Sequence, residues 1–407
     1  MSAPLAGVNV LDLSWVMVGP ASGRYLGDMG ADVIKVESSK RIDPVRTLGP
    51  FKDGKTGPER SISYHNLNAG KRCIAIDIRR PEGREIILRL AKWADVVLES
   101  FTPGVLETLQ LGHSDLKQRN DQIIMASTSL LGQTGPYAKG TSGVGTMGAA
   151  MSGATYQIGW PDREPAGPFG PWTDAVTPRF IVASILAALH RRSITGQGCY
   201  IDTAQAEAGI QFMMPAYYEY AANGAIPERR GIVGSPLHAA QGLYPCSGED
   251  RWIAIDASAS THWEALRSVI VELRDAKFDT IVGRMRNRDE LDEAISNWTR
   301  GQEAEAIENR LQAVGVPAHV VSRSGDLARD VDLREAGHLN KINDPVFGEA
   351  EIEGPRFTLD RTSLAPTQRG PRIGERFENR RGIEPALVPR CLWCRLLGDQ
   401  PHRRGQQ

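Results

Sequence analysis

Short apolar runs alternate with amphipathic stretches through the first third of the chain. Residues 8–13 form one such run, Pro20 opens a helical pattern extending to about residue 29, and residues 31–37 form a second run. The rhythm continues with a run at 73–78, a helical pattern at 81–93, and further runs at 95–99 and 122–127. Strands of this kind separated by helices predict a parallel sheet in a doubly wound α/β domain. Residues 132–170 are rich in Gly, Ser, Thr and Pro, which predicts long loops. Thr177 then reads as the cap of a helix with Pro178 near its first position. That helix ends on basic residues before T-G-Q-G and is apolar on most faces, so it is expected to be deeply buried.

A further helix is expected over 204–223, followed by loop to residue 242. Residues 243–320 read as a smaller unit of strand and helices closed by an apolar strand at 317–321. Strand and turn signals persist to residue 374, and beyond 377 periodicity ends. The expected organisation is a large Rossmann-like α/β domain over 1–223 and a smaller α/β domain over 224–325. Residues 326–376 return to the large domain, and 377–407 form an irregular tail.

Composition narrows the function without specifying it. The 407 residues carry 48 Lys+Arg against 49 Asp+Glu, so no net field draws the chain to nucleic acid or an anionic membrane. The N-terminus has no basic segment before a long apolar run, and the apolar stretch 180–189 falls short of the roughly 20 residues a membrane span needs. A cytoplasmic protein is expected, which suits five cysteines of which three are isolated. Cys391 and Cys394 make a lone C-x-x-C without a second pair, and the eight histidines include no closely spaced pair, so no metal site is expected.

Chemistry enters at Asp174, in G-P-F-G-P-W-T-D-A-V-T-P. An aspartate there can simply cap a turn, but Gly, Pro and the aromatics Phe169 and Trp172 surround it, and a helix N-terminus follows. A desolvated carboxylate of this kind can act as a covalent nucleophile on a thioester. Lys71, Arg72, Arg79 and Arg80 bracket one expected strand, and Arg24, Lys35, Arg41 and Arg46 lie near the first two, where cations suit a phosphate-bearing ligand. Gly19 and Gly23 do not make the G-x-G-x-x-G of a dinucleotide fold. Residues 211–220 (Q-F-M-M-P-A-Y-Y-E-Y) read as helical core, or as the lining of an acyl pocket.

Five segments, in order, carry a resemblance: P-L-A-G-V-N-V-L-D-L with V-G-P, G-A-D-V-I-K-V-E, N-A-G-K-R-C-I-A-I-D-I-R-R-P-E-G, A-D-V-V-L-E-S-F-T-P-G, and I-L-A-A-L-H-R-R-S-I-T-G-Q-G. Over residues 4–375 the chain resembles the class III coenzyme A transferases. The resemblance implies that Asp174 is the nucleophile, attacking an acyl-CoA to form an anhydride and then an aspartyl-CoA thioester. It implies CoA contacts at Met17, Val18, Ser38, the loop Ile76, Asp77, Ile78 and Arg79, the stretch Ser100, Phe101 and Thr102, and Lys139. It further implies an interlocked homodimer, an acyl-CoA and a free carboxylic acid as substrates, and no tightly bound cofactor.

The chain departs from the family pattern in places. Ser38 stands where a basic residue is usual, E-S-F-T-P-G replaces E-N-F-R-P-G, and G-E-R-F replaces G-E-H-T near the end. An α-methylacyl-CoA racemase shares the fold, but its G-H-D is Gly143-Val144-Gly145 here, which supplies no base. The other alternative is a non-catalytic subunit of a heteromer with a related chain. The aromatics Tyr156, Trp160, Phe169 and Trp172 near Asp174 in sequence suggest a bulky acyl group.

Overall fold

The computed structural model describes residues 3–138, 140–231, 238–362, 364 and 367–375. The C-x-x-C and the tail expected at 377–407 lie outside the described residues. The described chain divides into two compact units.

The first unit comprises the described residues of 3–152, 169–214 and 334–375. Its centre is a six-stranded parallel sheet of β1 (Asn9–Asp12), β2 (Asp32–Glu37), β3 (Arg72–Ala75), β4 (Val96–Glu99), β5 (Ile124–Ser129) and β6 (Cys199–Ala204). The spatial order is β3-β2-β1-β4-β5-β6, so the winding reverses between β1 and β4. A crevice opens at such a reversal beyond the carboxyl ends of the strands, which is where doubly wound sheets bind ligands. Strands buried on both faces need no polar alternation. Val10, Val33, Val96, Leu98, Ile124 and Ala126 therefore pack on one face, while Leu11, Leu13, Val36, Val97, Ile123 and Met125 pack on the other. Helix α1 (Val18–Asp28) covers the first face through Val18 and Leu26, and α2 (Pro81–Leu90) covers the second through Ile86, Ile87 and Leu90.

The region expected to be loop contains α3 (Gly145–Met151), because its small residues G-T-M-G-A-A-M let the helix lie close to its neighbours. The long helix α4 (Trp172–Thr195) starts six residues earlier than the cap at Thr177 suggested, so Pro178 lies inside it. A proline is tolerated there because it falls near the start, where few carbonyls precede it. Its missing N–H is the one that would have paired with the Asp174 carbonyl four residues back. Helix α4 is long and apolar enough to cross a membrane by length and composition. Ile181, Val182, Ile185 and Ala188 nevertheless pack into the sheet core with Val10 and Leu26. The remaining faces, including Phe180 and Ile194, are exposed within the single chain, so α4 is half-buried rather than deeply buried.

Strand β6 was not signalled by the sequence, because as an edge strand it alternates half-buried and exposed residues instead of forming an apolar run. The helix expected at 204–223 is two helices, α5 (Gln205–Phe212) and α6 (Met214–Asn223). None of the α6 residues is buried, and Tyr217, Tyr218 and Tyr220 are exposed, so the core reading of 211–220 does not hold. The return segment adds an antiparallel hairpin, β10 (Leu339–Asp344) and β11 (Gly348–Glu353).

The second unit comprises the described residues of 153–168 and 215–333. Its antiparallel sheet orders β7 (Gln241–Pro245), β8 (Trp252–Asp256) and β9 (Ala318–Val320). A separate core there joins Tyr244, Ile253, Ile255, Trp263, Leu266, Leu291, Ile295 and Ile307. The expected boundaries at 223 and 325 differ from those observed. The second unit also takes residues 153–168, and the return begins at Arg334.

Candidate active site

Asp174 is the third residue of α4, so it stands in the helix's first turn and not in a loop ahead of it. The unpaired amides of a first turn favour negative charge. The residue is only 5% exposed. Its Oδ2 accepts a hydrogen bond of 2.8 Å from the backbone N–H of Gly145, the first residue of α3. Thr173 ties the two helices together, donating from Oγ1 to the Gly145 carbonyl at 3.1 Å, and lies 3.2 Å from Oε1 of Gln205. Burial raises the Asp174 carboxyl to about 6, while the Gly145 amide and the Gln205 side chain pull in the opposite direction. Desolvation wins, leaving a carboxylate that is ionised at neutral pH yet more basic than an ordinary aspartate.

The spacing at Gly145 admits no side chain. A Cβ built there would lie 2.7 Å from the backbone N and Oδ2 of Asp174. The position that carries a base in the racemase pattern is thus filled here by the nucleophile candidate's own hydrogen-bond donor. The sequence offered Gly145 only as a missing base, and its contact with Asp174 joins residues 29 apart. Gln205, first in α5 and also buried, was missed altogether because nothing local distinguishes it.

The other candidate residues assemble along the carboxyl edge of the sheet. Met17 and Val18 follow β1, Ser38 follows β2, residues 76–79 follow β3 and residues 100–102 follow β4. Their environments differ. The Val18 side chain is buried in the core, so it can offer a ligand only its backbone. Ser100 Oγ is committed to Trp15, accepting from its N–H at 2.9 Å and donating to its carbonyl at 3.1 Å. The Asp77 side chain caps its own turn by accepting from Arg79 N at 3.2 Å. Ser38, Ile76, Ile78, Phe101 and Thr102 are half-buried, and Arg79 is exposed. Lys139 lies outside the described residues. Phe101 packs against Trp15 with ring centroids 5.5 Å apart, and Arg41 stacks on the same indole at 5.3 Å. Glu99, passed over as a strand end, is buried behind this edge; burial pushes its carboxyl up to about 7 although it accepts from Phe101 N at 2.8 Å.

Most of the cations expected to meet phosphate are instead neutralised inside the fold. Lys71 pairs with Asp12 at 2.7 Å, Lys35 with Asp43 at 2.9 Å, and Arg46 with Glu37 at 2.8 Å, all with fully buried side chains. Arg24 pairs with Asp28, and Arg72 with Asp32. A buried cation must be paired, and all of these positions but the half-buried Arg72 lie beneath the surface. Arg41, Arg79 and Arg80 remain exposed. Among the described residues no cluster of three or more His, Cys, Asp or Glu could hold a metal ion.

Residues 5–377 match the family described as CoA-transferase family III. The chain is 32% identical over 375 residues to a succinyl-CoA–D-citramalate CoA-transferase of Chloroflexus aurantiacus, covering 91% of this chain and 92% of that one. It is 30% identical to a succinyl-CoA:mesaconate CoA-transferase of Haloarcula hispanica, covering 91% and 94%. A crystal structure of a CAIB/BAIF family protein from Brucella suis superposes with a TM-score of 0.82 at 30% identity, covering 92% and 97%.

Proposed function

Since the chain belongs to CoA-transferase family III, and is therefore an enzyme acting on CoA thioesters, we propose that it moves CoA between carboxylic acids through covalent intermediates on Asp174. The observation that carries this reading is the Gly145–Asp174 contact. With Oδ2 held by the Gly145 amide at 2.8 Å, Oδ1 is the oxygen left to attack. Oδ1 adds to the thioester carbonyl, the C–S bond breaks, and CoA leaves as a thiolate while an aspartyl anhydride forms. The thiolate then attacks the aspartyl carbonyl and expels the donor acid, giving an aspartyl-CoA thioester. The acceptor carboxylate attacks the same carbonyl and displaces CoA thiolate again. Attack of that thiolate on the acceptor's acyl carbon yields the new acyl-CoA and frees Asp174. Each attack on the aspartyl carbonyl places negative charge on Oδ2, where the Gly145 N–H is already aimed. No group is oxidised or reduced, and neither metal nor ATP is required.

CoA is proposed to lie along the carboxyl edge, with Met17, Ser38, Ile76, Ile78, Phe101 and Thr102 as its walls and the exposed Arg41 and Arg79 available to phosphate. A succinyl-CoA donor is proposed because both relatives above are named as succinyl-CoA transferases. Two copies of the chain are proposed to pair. The exposed aromatic residues of α6 and the open faces of α4 support this, since a lone chain would leave them in water. Unpaired Cys73, Cys199 and Cys246 support a reducing, cytoplasmic setting.

The test is trapping. Incubation with succinyl-CoA followed by hydroxylamine should leave a hydroxamate at Asp174 by peptide mass spectrometry, and Asp174→Ala should leave none. Deuterium exchange at the substrate α-carbon without any protein adduct, with a thioester that binds, would refute the covalent route in favour of proton transfer.

A further inference from the structure

Three consecutive residues at the sheet's reversal point, Ser14, Trp15 and Val16, are tied by their backbones to side chains. Ser14 N donates to Asp12 Oδ1 at 3.0 Å, and the Ser14 carbonyl accepts from Lys35 Nζ at 2.9 Å. Trp15 is bracketed by Ser100 through both its N–H and its carbonyl. Val16 N donates to Asp43 Oδ1 at 3.0 Å. Met17 then stands at the start of α1.

Val16 is the anomaly in this run. Its φ is +67°, a region that β-branched residues rarely enter because Cβ crowds the backbone. Such a conformation persists only where its surroundings hold it. Asp43 is positioned to do so. Its side chain is fully buried, and Oδ1 accepts from both Val16 and Val45 while Oδ2 faces Lys35 Nζ at 2.9 Å. Lys35 in turn grips Ser14, so the ion pair clamps the loop at two points on either side of Trp15.

We propose that Asp43, oriented by Lys35, is a positioning residue that holds Val16 left-handed and so presents Trp15 and Met17 to CoA. This rests on the placement of CoA at the carboxyl edge given above. The clamp acts on the free enzyme: without it the loop relaxes to an ordinary φ, and only the fraction still in the bound conformation takes up CoA. If that fraction falls to about a tenth, the Kd for CoA rises about tenfold.

The experiment is a double-mutant cycle on the full chain, reading Kd for free CoA by calorimetry, KM and kcat for acyl-CoA, and thermal melting. Asp43→Ala should raise Kd and KM on the order of tenfold with a smaller change in kcat. Glycine enters the left-handed region without penalty, so in the V16G background D43A should cost only about twofold. Should D43A fail to fold because Lys35 is left buried and unpaired, K35M/D43A removes that charge and permits the same cycle. An equal D43A effect in the Val16 and V16G backgrounds would overturn the clamp. Met17→Arg checks the premise separately: an unchanged Kd for CoA there means that CoA does not occupy this edge, and the inference falls with that reading rather than by its own failure.

Discussion

Asp174→Asn should make the protein more stable at neutral pH while abolishing transfer. Burial lifts the Asp174 carboxyl from 3.8 to about 6, so the folded state holds its proton more tightly than the unfolded chain does. For an acid shifted upward, the ionised form is penalised in the fold. The penalty is complete above pH 6, shrinks between 6 and 4, and vanishes below the unfolded value. A shift of about 2 units at 1.36 kcal/mol each corresponds to about 3 kcal/mol at pH 7. Asparagine stays neutral at every pH and can present its oxygen to Gly145, so it should recover much of this. Paired urea titrations of wild type and D174N at pH 4 and pH 7.5 would measure it. We expect a stability gap of about 2–3 kcal/mol in favour of D174N at pH 7.5, closing at pH 4. A gap of the same size at both values, or a variant less stable than wild type at pH 7.5, would refute the claim that the carboxylate is held ionised at a cost.

The same ionisation should govern activity: kcat/KM should rise with pH through a single step near 6 and level off above it, as a pH-rate profile of the free enzyme would record. Gly145→Ala should lower kcat on the order of 100-fold with the fold retained by circular dichroism, because its Cβ has only 2.7 Å to Asp174 and displaces the carboxylate. Asp12→Ala should destabilise the first unit by about 3–5 kcal/mol in a denaturant titration, since it strands the buried Lys71 ammonium now paired at 2.7 Å.

The parallel sheet was legible along the chain because strands buried on both faces announce themselves as continuous apolar runs. The expected runs at 8–13, 31–37, 73–78, 95–99 and 122–127 correspond to β1 through β5. Asp174 stood out for a different reason: its neighbours G-P-F-G-P-W mark a place where the chain turns, although the fold buries the carboxyl in the first turn of α4. Whatever depends on two distant segments meeting was hidden. Lys35, Lys71 and Arg46 read as free cations until the fold brought Asp43, Asp12 and Glu37 against them. No local pattern encodes a partner that approaches from another strand or loop. Gly145 illustrates the same limit most sharply, for it looked like an empty position and became the donor that holds Asp174. By itself the sequence determined where β1 through β5 lie, which carboxyl is the nucleophile candidate and which family the chain resembles, because periodicity and turn chemistry act over a few residues. Only the tertiary structure decided where α4 begins, which cations are consumed in the core and how Asp174 is held, because burial and close approach are properties of segments packed together.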